Sequence, residues 1–376
     1  MGKRELLLIG AFIILGSAIY WATAPEPAPG QRGFSLSSVI DHVRREIRGN
    51  PASAELTTTT VLPKKPELTE VRFEFGGSTT PLTIVGETRD DITCELTVWS
   101  NGPDDAVAKQ WASDTKLRVS DLGTSIVLGL DFPDPGSQRA SLSVRMPSAL
   151  AVRVQPSRGK INISNVNALE LAESRGQVLI RDVKNRLAII HRGGELKIEN
   201  VGALKLSTRG SMAQLKDIKG EAVIQATAGE LRGSGFGGAI DIESNNTRIT
   251  LDDLAAVRNP IRINAIGGAV SLTGIASETR VEGRKTRITA VIARPAPIGI
   301  YNDDEEPIRV TIPASGGFQL DALASDSTIR LPDGLLEVKA SGTEQRASGS
   351  VRGGGPTLTL RSSRGTIEVI VEKSGT

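Results

Sequence analysis

Residues 157–166 read SRGKINISNV, and the pattern returns as SRGQVLIRDV at 174–183, RGGELKIENV at 192–201 and RGSMAQLKDI at 209–218. Apolar side chains stand two, four and seven positions after nearly every anchor residue of this repeat. The anchors, at intervals of 17 to 21 residues, are Gly159, Gly176, Gly194, Ser211, Gly229, Thr247 and Gly268. Self-similarity at a steady period indicates a stacked repeat architecture.

Each copy has the pattern of two short strands separated by tight turns. Apolar and polar residues alternate, as in a strand with one buried face. Two such strands cannot bury a face alone, but stacked copies can. The position six residues after the anchor holds only residues that readily adopt a left-handed backbone or close a turn. They are Asn165, Asp182, Asn200, Asp217, Gly235, Asp253 and Gly274.

These patterns predict an all-β chain, and specifically a β-solenoid (a single-stranded β-helix) with rungs of 17–18 residues. A rung is one copy of the repeat, and neighbouring rungs would lie about 4.8 Å apart. The alternative is an antiparallel sandwich, whose strands do not usually keep so even a repeat. We assign an irregular β lead-in to 67–156, regular rungs to 157–283 and a continuation to 284–376.

The N-terminal region has a different pattern. Lys3 and Arg4 precede an apolar run that ends near residue 24, close to the roughly 20 residues that a membrane-spanning helix needs. We assign 1–24 to a transmembrane anchor, with a cleaved signal peptide as the alternative. Residues 25–66 are assigned to a linker that contains a short amphipathic helix at 35–48. This helix would lie on the membrane or cap the solenoid.

Composition narrows the possible functions. The chain has 45 Lys and Arg against 43 Asp and Glu, so its net charge of +2 argues against a general nucleic-acid binder. Its one cysteine, Cys94, allows no internal disulfide and no thiolate metal site. We expect Cys94 to be a small buried apolar residue.

No enzyme constellation is recognisable. The two histidines, His42 and His191, cannot form a zinc site with one distant cysteine, and their spacing gives no support to a catalytic triad. The glycine-rich run at 233–238 fits the turns of the repeat better than a phosphate cradle. The acidic run at 303–306 is typical of a solvated loop, with weak cation binding as the alternative. We therefore predict a protein that is not an enzyme and needs no cofactor or metal.

A basic column is the one candidate binding site. Arg158, Arg175, Arg192 and Arg209 stand one or two residues before four consecutive anchors, so stacking would align them at one edge. Aligned like charges are unfavourable unless they are solvated or paired. The possible partners are Glu170, Glu173, Glu195 and Glu199. One interpretation is a solvated row of turns with local ion pairs, and the other is a docking stripe for an anionic polysaccharide.

The motifs also resemble those of a known family. The Ser-Arg-Gly-x-Ile/Val-x-Ile units at 157–163 and 174–180 and the strand–Pro–strand units at 144–154 and 310–320 are similar to the bacterial putative-adhesin family of β-strand-repeat domains. So is the glycine-rich ending at 353–367. The resemblance covers roughly residue 71 to the C-terminus. It implies a membrane-associated or surface β-helix without established enzyme chemistry, and it provides no functional residues.

Together these observations predict a single-pass membrane protein whose C-terminal domain lies outside the cytoplasm, in the periplasm or at the cell surface. Its expected role is that of an adhesin or binding scaffold. Its expected partners are an anionic polysaccharide or a cell-envelope protein, and not nucleic acid. The alternatives are a self-assembling structural solenoid similar to bactofilins, or a carbohydrate-active β-helix enzyme.

Overall fold

A computed structural model describes residues 52–75, 79–132 and 138–372. The predicted transmembrane segment 1–24 and amphipathic helix 35–48 lie outside this part of the chain. Within the described ranges, no helix is both long enough and apolar enough to cross a membrane. The contacts divide the chain into a smaller unit that includes Trp99–Asp114 and a larger unit that includes Thr57–Val98, 115–132 and 139–372.

The smaller unit contains helix α1 (Asp105–Asp114), which interrupts the region that the sequence analysis assigned to a β lead-in. The carboxylate of Asp104 accepts a hydrogen bond from the backbone N–H of Val107 at 2.9 Å and caps the helix start. The buried face of the helix consists of Ala108 and Ala112. The hydroxyl of Ser100 donates to the carbonyl of Ala108.

Strands dominate the rest of the structure. Up to residue 166 they are β1 (Ala52–Pro63), β2 (Glu70–Glu74), β3 (Leu82–Glu87), β4 (Asp91–Gly102), β5 (Lys116–Asp121), β6 (Ser125–Asp131), β7 (Gln138–Pro147), β8 (Ala151–Val154) and β9 (Ile161–Val166). The regular region contains β10 (Ala168–Ile218), β11 (Ala222–Phe236), β12 (Ile240–Leu251), β13 (Ile261–Ile275) and β14 (Thr279–Arg284). A 3₁₀ turn, Leu254–Ala256, follows β12.

The C-terminal strands are β15 (Arg287–Ile292), β16 (Ile298–Asp303), β17 (Ile308–Ile312), β18 (Phe318–Ser325), β19 (Ile329–Arg330), β20 (Lys339–Ser341), β21 (Glu344–Val351), β22 (Thr357–Ser362) and β23 (Ile367–Val371). The described strands form one sheet. β10 alone is 51 residues long, because it runs through successive rungs without a break.

Parallel pairing follows the predicted anchor column. Ser211 pairs with Gly229, Gly229 with Thr247, and Thr247 with Gly268. Each rung contributes one strand to each of two ladders that meet at a corner just before the anchor. The first ladder includes 204–209, 222–227, 240–245 and 261–266, and the second ladder includes 211–218, 229–236, 247–251 and 268–275. The predicted repeat alignment is confirmed for these rungs.

The Asn, Asp and Gly column also has the predicted backbone. Asn165, Asp182, Asn200, Asp217 and Asp253 all adopt the left-handed conformation, with φ between 54° and 57°. The glycines of the column, Gly235 and Gly274, have φ of 70° and 83°. The short polar side chains tolerate this conformation better than other non-glycine residues do.

The corner between the ladders explains why the anchor column mixes glycine with Ser and Thr. The hydroxyl of Thr247 donates to the carbonyl of Ala226 on the rung before it, at 3.2 Å. On the next rung, a Cβ at Gly268 would lie 2.3 Å from the carbonyl oxygen of Thr247. A Cβ at Gly229 would lie equally close to the carbonyl oxygen of Ser211. From Ser211 to Gly268, rungs with a side chain at the corner therefore alternate with rungs that have none.

The core between the ladders is narrow and aliphatic. The side chains of Leu206, Leu215 and Ile218 are at most 2% exposed. Gly233 occupies a position that is apolar on neighbouring rungs, and a Cβ there would lie 2.7 Å from the ring of Phe236. The larger Phe236 side chain thus fills the space that the glycine leaves.

The rungs at the two ends of the stack do not follow sequence order. The first rung lies between two later ones, because β2 pairs with both β6 and β8 and β3 pairs with both β7 and β9. The last rung is placed in the same way, because β22 pairs with β16 and β18 while β23 pairs with β17 and β19. The lead-in and the continuation therefore join the stack, but not in the order of the chain.

Antiparallel strands extend the first ladder at both ends. β5 pairs antiparallel with β6, and β21 pairs antiparallel with β18. A strand that reverses direction at the edge of a parallel ladder covers the unpaired backbone groups of that edge.

The linker assigned to 25–66 is wrong for 52–63, which form β1. This segment contains the β-branched run Thr57–Thr60 and pairs with β4. The hydroxyls of Thr57 and Thr97 lie 3.1 Å apart across this pair. β-Branched residues favour extended structure, so the partner strand forms a sheet from a segment whose polarity suggested a loop.

Candidate functional site

The four arginines of the predicted site lie on consecutive rungs at the corner between the ladders. Ser157 forms a parallel bridge with Ser174, and the N–H of Arg175 donates to the carbonyl of Ser157 at 3.1 Å. The N–H of Gly193 donates to the hydroxyl of Ser211 at 3.1 Å, which joins the next two rungs. We call Arg158, Arg175, Arg192 and Arg209 the arginine column.

Each arginine directly follows a buried polar residue. These inward-facing residues are Ser157, Ser174, His191 and Thr208, with exposed fractions between 0% and 7%. Successive residues of extended chain point to opposite faces, so the arginines point outward. The side chains of Arg175 and Arg192 are 50% and 48% exposed.

One glutamate pairs with two arginines of the column. The Glu173 carboxylate lies 3.5 Å from the guanidinium of Arg175 and 3.6 Å from that of Arg192. Among the described residues, Arg158 and Arg209 have no ion pair within 4.0 Å. Exposed pairs of this kind contribute little to stability, so all four guanidinium groups can still reach a ligand.

The other glutamates that the sequence suggested as partners form ion pairs with residues outside the column. Glu170 pairs with Arg153 at 2.6 Å, and Glu195 pairs with Lys197 at 2.8 Å. Glu199 pairs with Arg181 and Lys216. Only Glu173, of the four glutamates considered, contacts the column.

His191 belongs to the interior. Its Nδ1 lies 2.9 Å from the hydroxyl of Ser174, and its Nε2 has no partner among the described atoms. Burial lowers the pKa of His191 below its ordinary value, so the ring is neutral at pH 7. With an exposed fraction of 0%, it cannot contact a ligand on the outer surface.

A shallow depression of about 420 Å³ lies on the outer face of the first ladder, beside the arginine column. Its apolar floor consists of Ala172, Ala188, Ile190 and Val223, and Ile190 is 42% exposed. Arg186 and Lys205 also line it. We call this the Ile190 depression. Reasoning from the sequence did not single out these four apolar residues. The run Ala188-Ile189-Ile190, which breaks the alternation of apolar and polar residues, is the signal that could have found the depression.

Two other depressions have less suitable surfaces. One, on the outer face of the second ladder, is lined by charged residues that pair with one another, including Arg181, Glu199 and Lys216. The other contains Tyr301, whose ring lies 4.7 Å from the guanidinium carbon of Arg280. That arginine occupies a ring face on which a ligand could stack.

The acidic run at 303–306 is tied into neighbouring rungs. The carboxylate of Asp304 pairs with Arg364 and lies 3.7 Å from Lys285. The hydroxyl of Ser363 donates to the carboxylate of Asp303 at 2.6 Å. Across the residues that the structure describes, no group of three or more His, Cys, Asp or Glu is arranged to hold a metal.

Cys94 is fully buried, as the sequence predicts. Burial raises the pKa of its thiol to about 12, so the thiolate is scarcely populated at neutral pH.

Comparison with known proteins gives little guidance. No family model matches the chain, and no curated protein matches it. A solved structure of a "putative cell adhesion protein" from Clostridium sporogenes is similar over 85% of this chain and 100% of that chain, with 9% identity and a TM-score of 0.23.

Proposed function

We propose that this chain is a β-solenoid scaffold, anchored in the cell membrane through residues 1–24, that binds an anionic polymer outside the cytoplasm through the arginine column. It acts by binding and not by catalysis. The observation that supports this function is the alignment of four outward-facing arginines on consecutive rungs. Among the described residues, Glu173 is the only acid paired to any of them.

The spacing of the column suits a polymer better than a single small anion. Four rungs at intervals of about 4.8 Å extend over about 14 Å. Carboxylates or phosphates that repeat along an extended polymer can therefore contact two or three arginines at once. Each contact is partly screened at physiological salt, where the Debye length is about 8 Å. Binding should accordingly be weak at each arginine, additive along the column and sensitive to salt.

The antiparallel strands at the ends of the first ladder weigh against the self-assembling alternative. Growth that continues the parallel stacking would have to start from parallel strands, whereas β5 and β21 extend the first ladder in the antiparallel direction.

Replacing the four column arginines by glutamine tests the binding site, because it removes the charge and keeps most of each side chain. The matched control replaces Lys116, Lys184, Lys219 and Arg248 by glutamine, because these exposed cations lie outside the column and on the same unit. We expect the parent and the control to co-sediment with polygalacturonate at low salt, and the column variant to lose most binding. Equal binding by the column variant and the parent would refute the assignment. So would a parent that binds no polyanion at low salt.

Cell fractionation tests the proposed location separately. Protease added outside the cytoplasmic membrane should degrade the strand region of a membrane-bound chain. A soluble mature form that starts near residue 25 would instead show a cleaved signal peptide, and a protected strand region would place the domain in the cytoplasm.

A further inference from the structure

We infer that the Ile190 depression and the arginine column together form a binding site for an acidic polysaccharide, that is, a polymer of uronate sugars. This inference rests on the proposed function, but it names the class of polymer and adds residues that the column does not include.

The floor of the depression is apolar because four outward positions on neighbouring rungs carry aliphatic side chains. Ala172 and Ala188 are small, so they leave a recess, while Ile190 and Val223 provide larger apolar surfaces. The volume of about 420 Å³ falls within the range of about 300–1,000 Å³ that is typical of ligand sites. It is large enough for a stretch of polymer and larger than a single anion requires.

The arginine column forms one rim of this floor. Ile190 and Arg192 are both exposed and stand two positions apart, on either side of the buried His191, so they lie on the same face. Ser207 and Arg209 have the same relation on the next rung. The positive charges of the column therefore border the apolar surface directly.

Two further cations adjoin the floor: Arg186 stands two positions before Ala188, on the side away from the column, and Lys205 pairs with Val223 on the next rung. Arg186 and Lys205 line the depression, and neither has an ion pair within 4.0 Å among the residues that the structure describes. The one acidic residue in the lining, Glu170, is paired with Arg153 at 2.6 Å. The apolar side chains thus lie between the arginine column and two further cations without an acidic partner among the described residues.

This combination selects among polyanions. A uronate polymer presents the C–H faces of its sugar rings to an apolar surface and its carboxylates to cations at the rims. Polyphosphate has charge but no apolar face, so contact with the apolar floor should add nothing to its affinity. Single-stranded nucleic acid is recognised by stacking on aromatic side chains, and no aromatic residue is among the described residues that line the depression.

The test compares polygalacturonate, inorganic polyphosphate and uncharged dextran as probes of the full-length protein. The floor variant is Ile190→Ser, and its control is Met212→Ser, because Met212 is an apolar residue 56% exposed on the outer face of the second ladder. The rim variant is Arg186→Gln with Lys205→Gln. Circular dichroism melts of all variants show whether each one retains the fold.

We expect the parent to prefer polygalacturonate over polyphosphate at matched charge and to ignore dextran. Ile190→Ser should weaken polygalacturonate binding about tenfold, as expected for loss of one buried aliphatic side chain, and leave polyphosphate binding unchanged. Met212→Ser should change neither affinity. The rim variant should weaken the binding of both polyanions.

Equal affinity for the two polyanions, or no effect of Ile190→Ser, would show that the column acts by charge alone. That result overturns this inference and leaves the proposed function standing. An unaffected rim variant would likewise place the polymer outside the depression. Failure of the parent to bind either polyanion at low salt would overturn both.

Discussion

Replacing Gly194 by alanine should destabilise the stack far more than the same replacement at its neighbour Gly193. Gly194 has a φ of 95°, and a Cβ there would lie 2.2 Å from the carbonyl oxygen of Gly176 on the preceding rung. Gly193 also has a positive φ, of 74°, but a Cβ there meets nothing within 4 Å. The two variants add the same methyl group at adjacent positions, so their difference isolates the contact between rungs.

The magnitudes follow from these geometries. A left-handed backbone costs a residue other than glycine about 1–2 kcal/mol. Gly193→Ala should lower the free energy of unfolding by about that much. An alanine is tolerated at the equivalent position of a later rung, where Ala228 precedes Gly229 and has a φ of 50°. Gly194→Ala adds a clash with backbone atoms that cannot move without lengthening hydrogen bonds between rungs. In total, Gly194→Ala should lower the free energy of unfolding by about 3–5 kcal/mol, which is in the severe range for single substitutions.

Urea denaturation followed by circular dichroism measures both losses. Because stacked repeats need not unfold in one step, the two midpoints are compared with each other and with that of the conservative variant Glu195→Gln, which should match the parent. If the two alanine variants differ by less than about 1 kcal/mol, the close approach of Gly194 to Gly176 is not a constraint on the fold.

Two further predictions concern buried groups. Because burial lowers the pKa of His191, the unfolded chain protonates this ring at a higher pH than the folded chain does. The free energy of unfolding should therefore fall as the pH drops below about 6.5, by about 1.4 kcal/mol for each tenfold difference in proton affinity between the two states. His191→Thr, which copies Thr208 on the next rung, should flatten the pH dependence of the urea midpoint between about pH 7 and pH 5, and an unchanged slope would contradict this. The buried thiol of Cys94, whose pKa is raised to about 12, should react with a thiol reagent only as the strands unfold; fast labelling in native buffer would contradict its burial.

The sequence predicts the regular rungs well because their determinants are local. Asn165, Asp182 and Asn200 lie at turns that need a left-handed backbone, and few residue types tolerate it. Alternating apolar residues set which face is buried, and a constant repeat length sets the register. The same reasoning places the arginine column on consecutive rungs, since the column depends only on that register.

The order of the end rungs could not be predicted, because it depends on pairing between segments far apart in the chain. The strand pattern of β2 or β22 fits any position in the stack. Its actual neighbours are chosen by the fit of whole rungs, as when Leu82 pairs with both Leu142 and Ile161. The partner of β1 is set by such a long-range contact as well.

The Ile190 depression was missed for a different reason. An apolar residue in a strand is normally assigned to the core, and Ile190 stands directly beside the buried Ile189. Only the register, which turns Ile190 outward beside Arg192, shows that the residue contributes to the surface.

The position of the last rung has a consequence for how the protein is made. β18 takes β22, a strand from later in the chain, as its parallel partner, and β17 takes β23. While the chain emerges from a ribosome or a translocation pore, the edges that await these partners stay open until the final rung arrives. A message cut short near residue 356 would yield a chain with nearly every other rung but with those edges permanently open, and unpaired strand edges invite aggregation and proteolysis. The late insertion would therefore make truncated copies recognisable to the quality-control machinery of the cell.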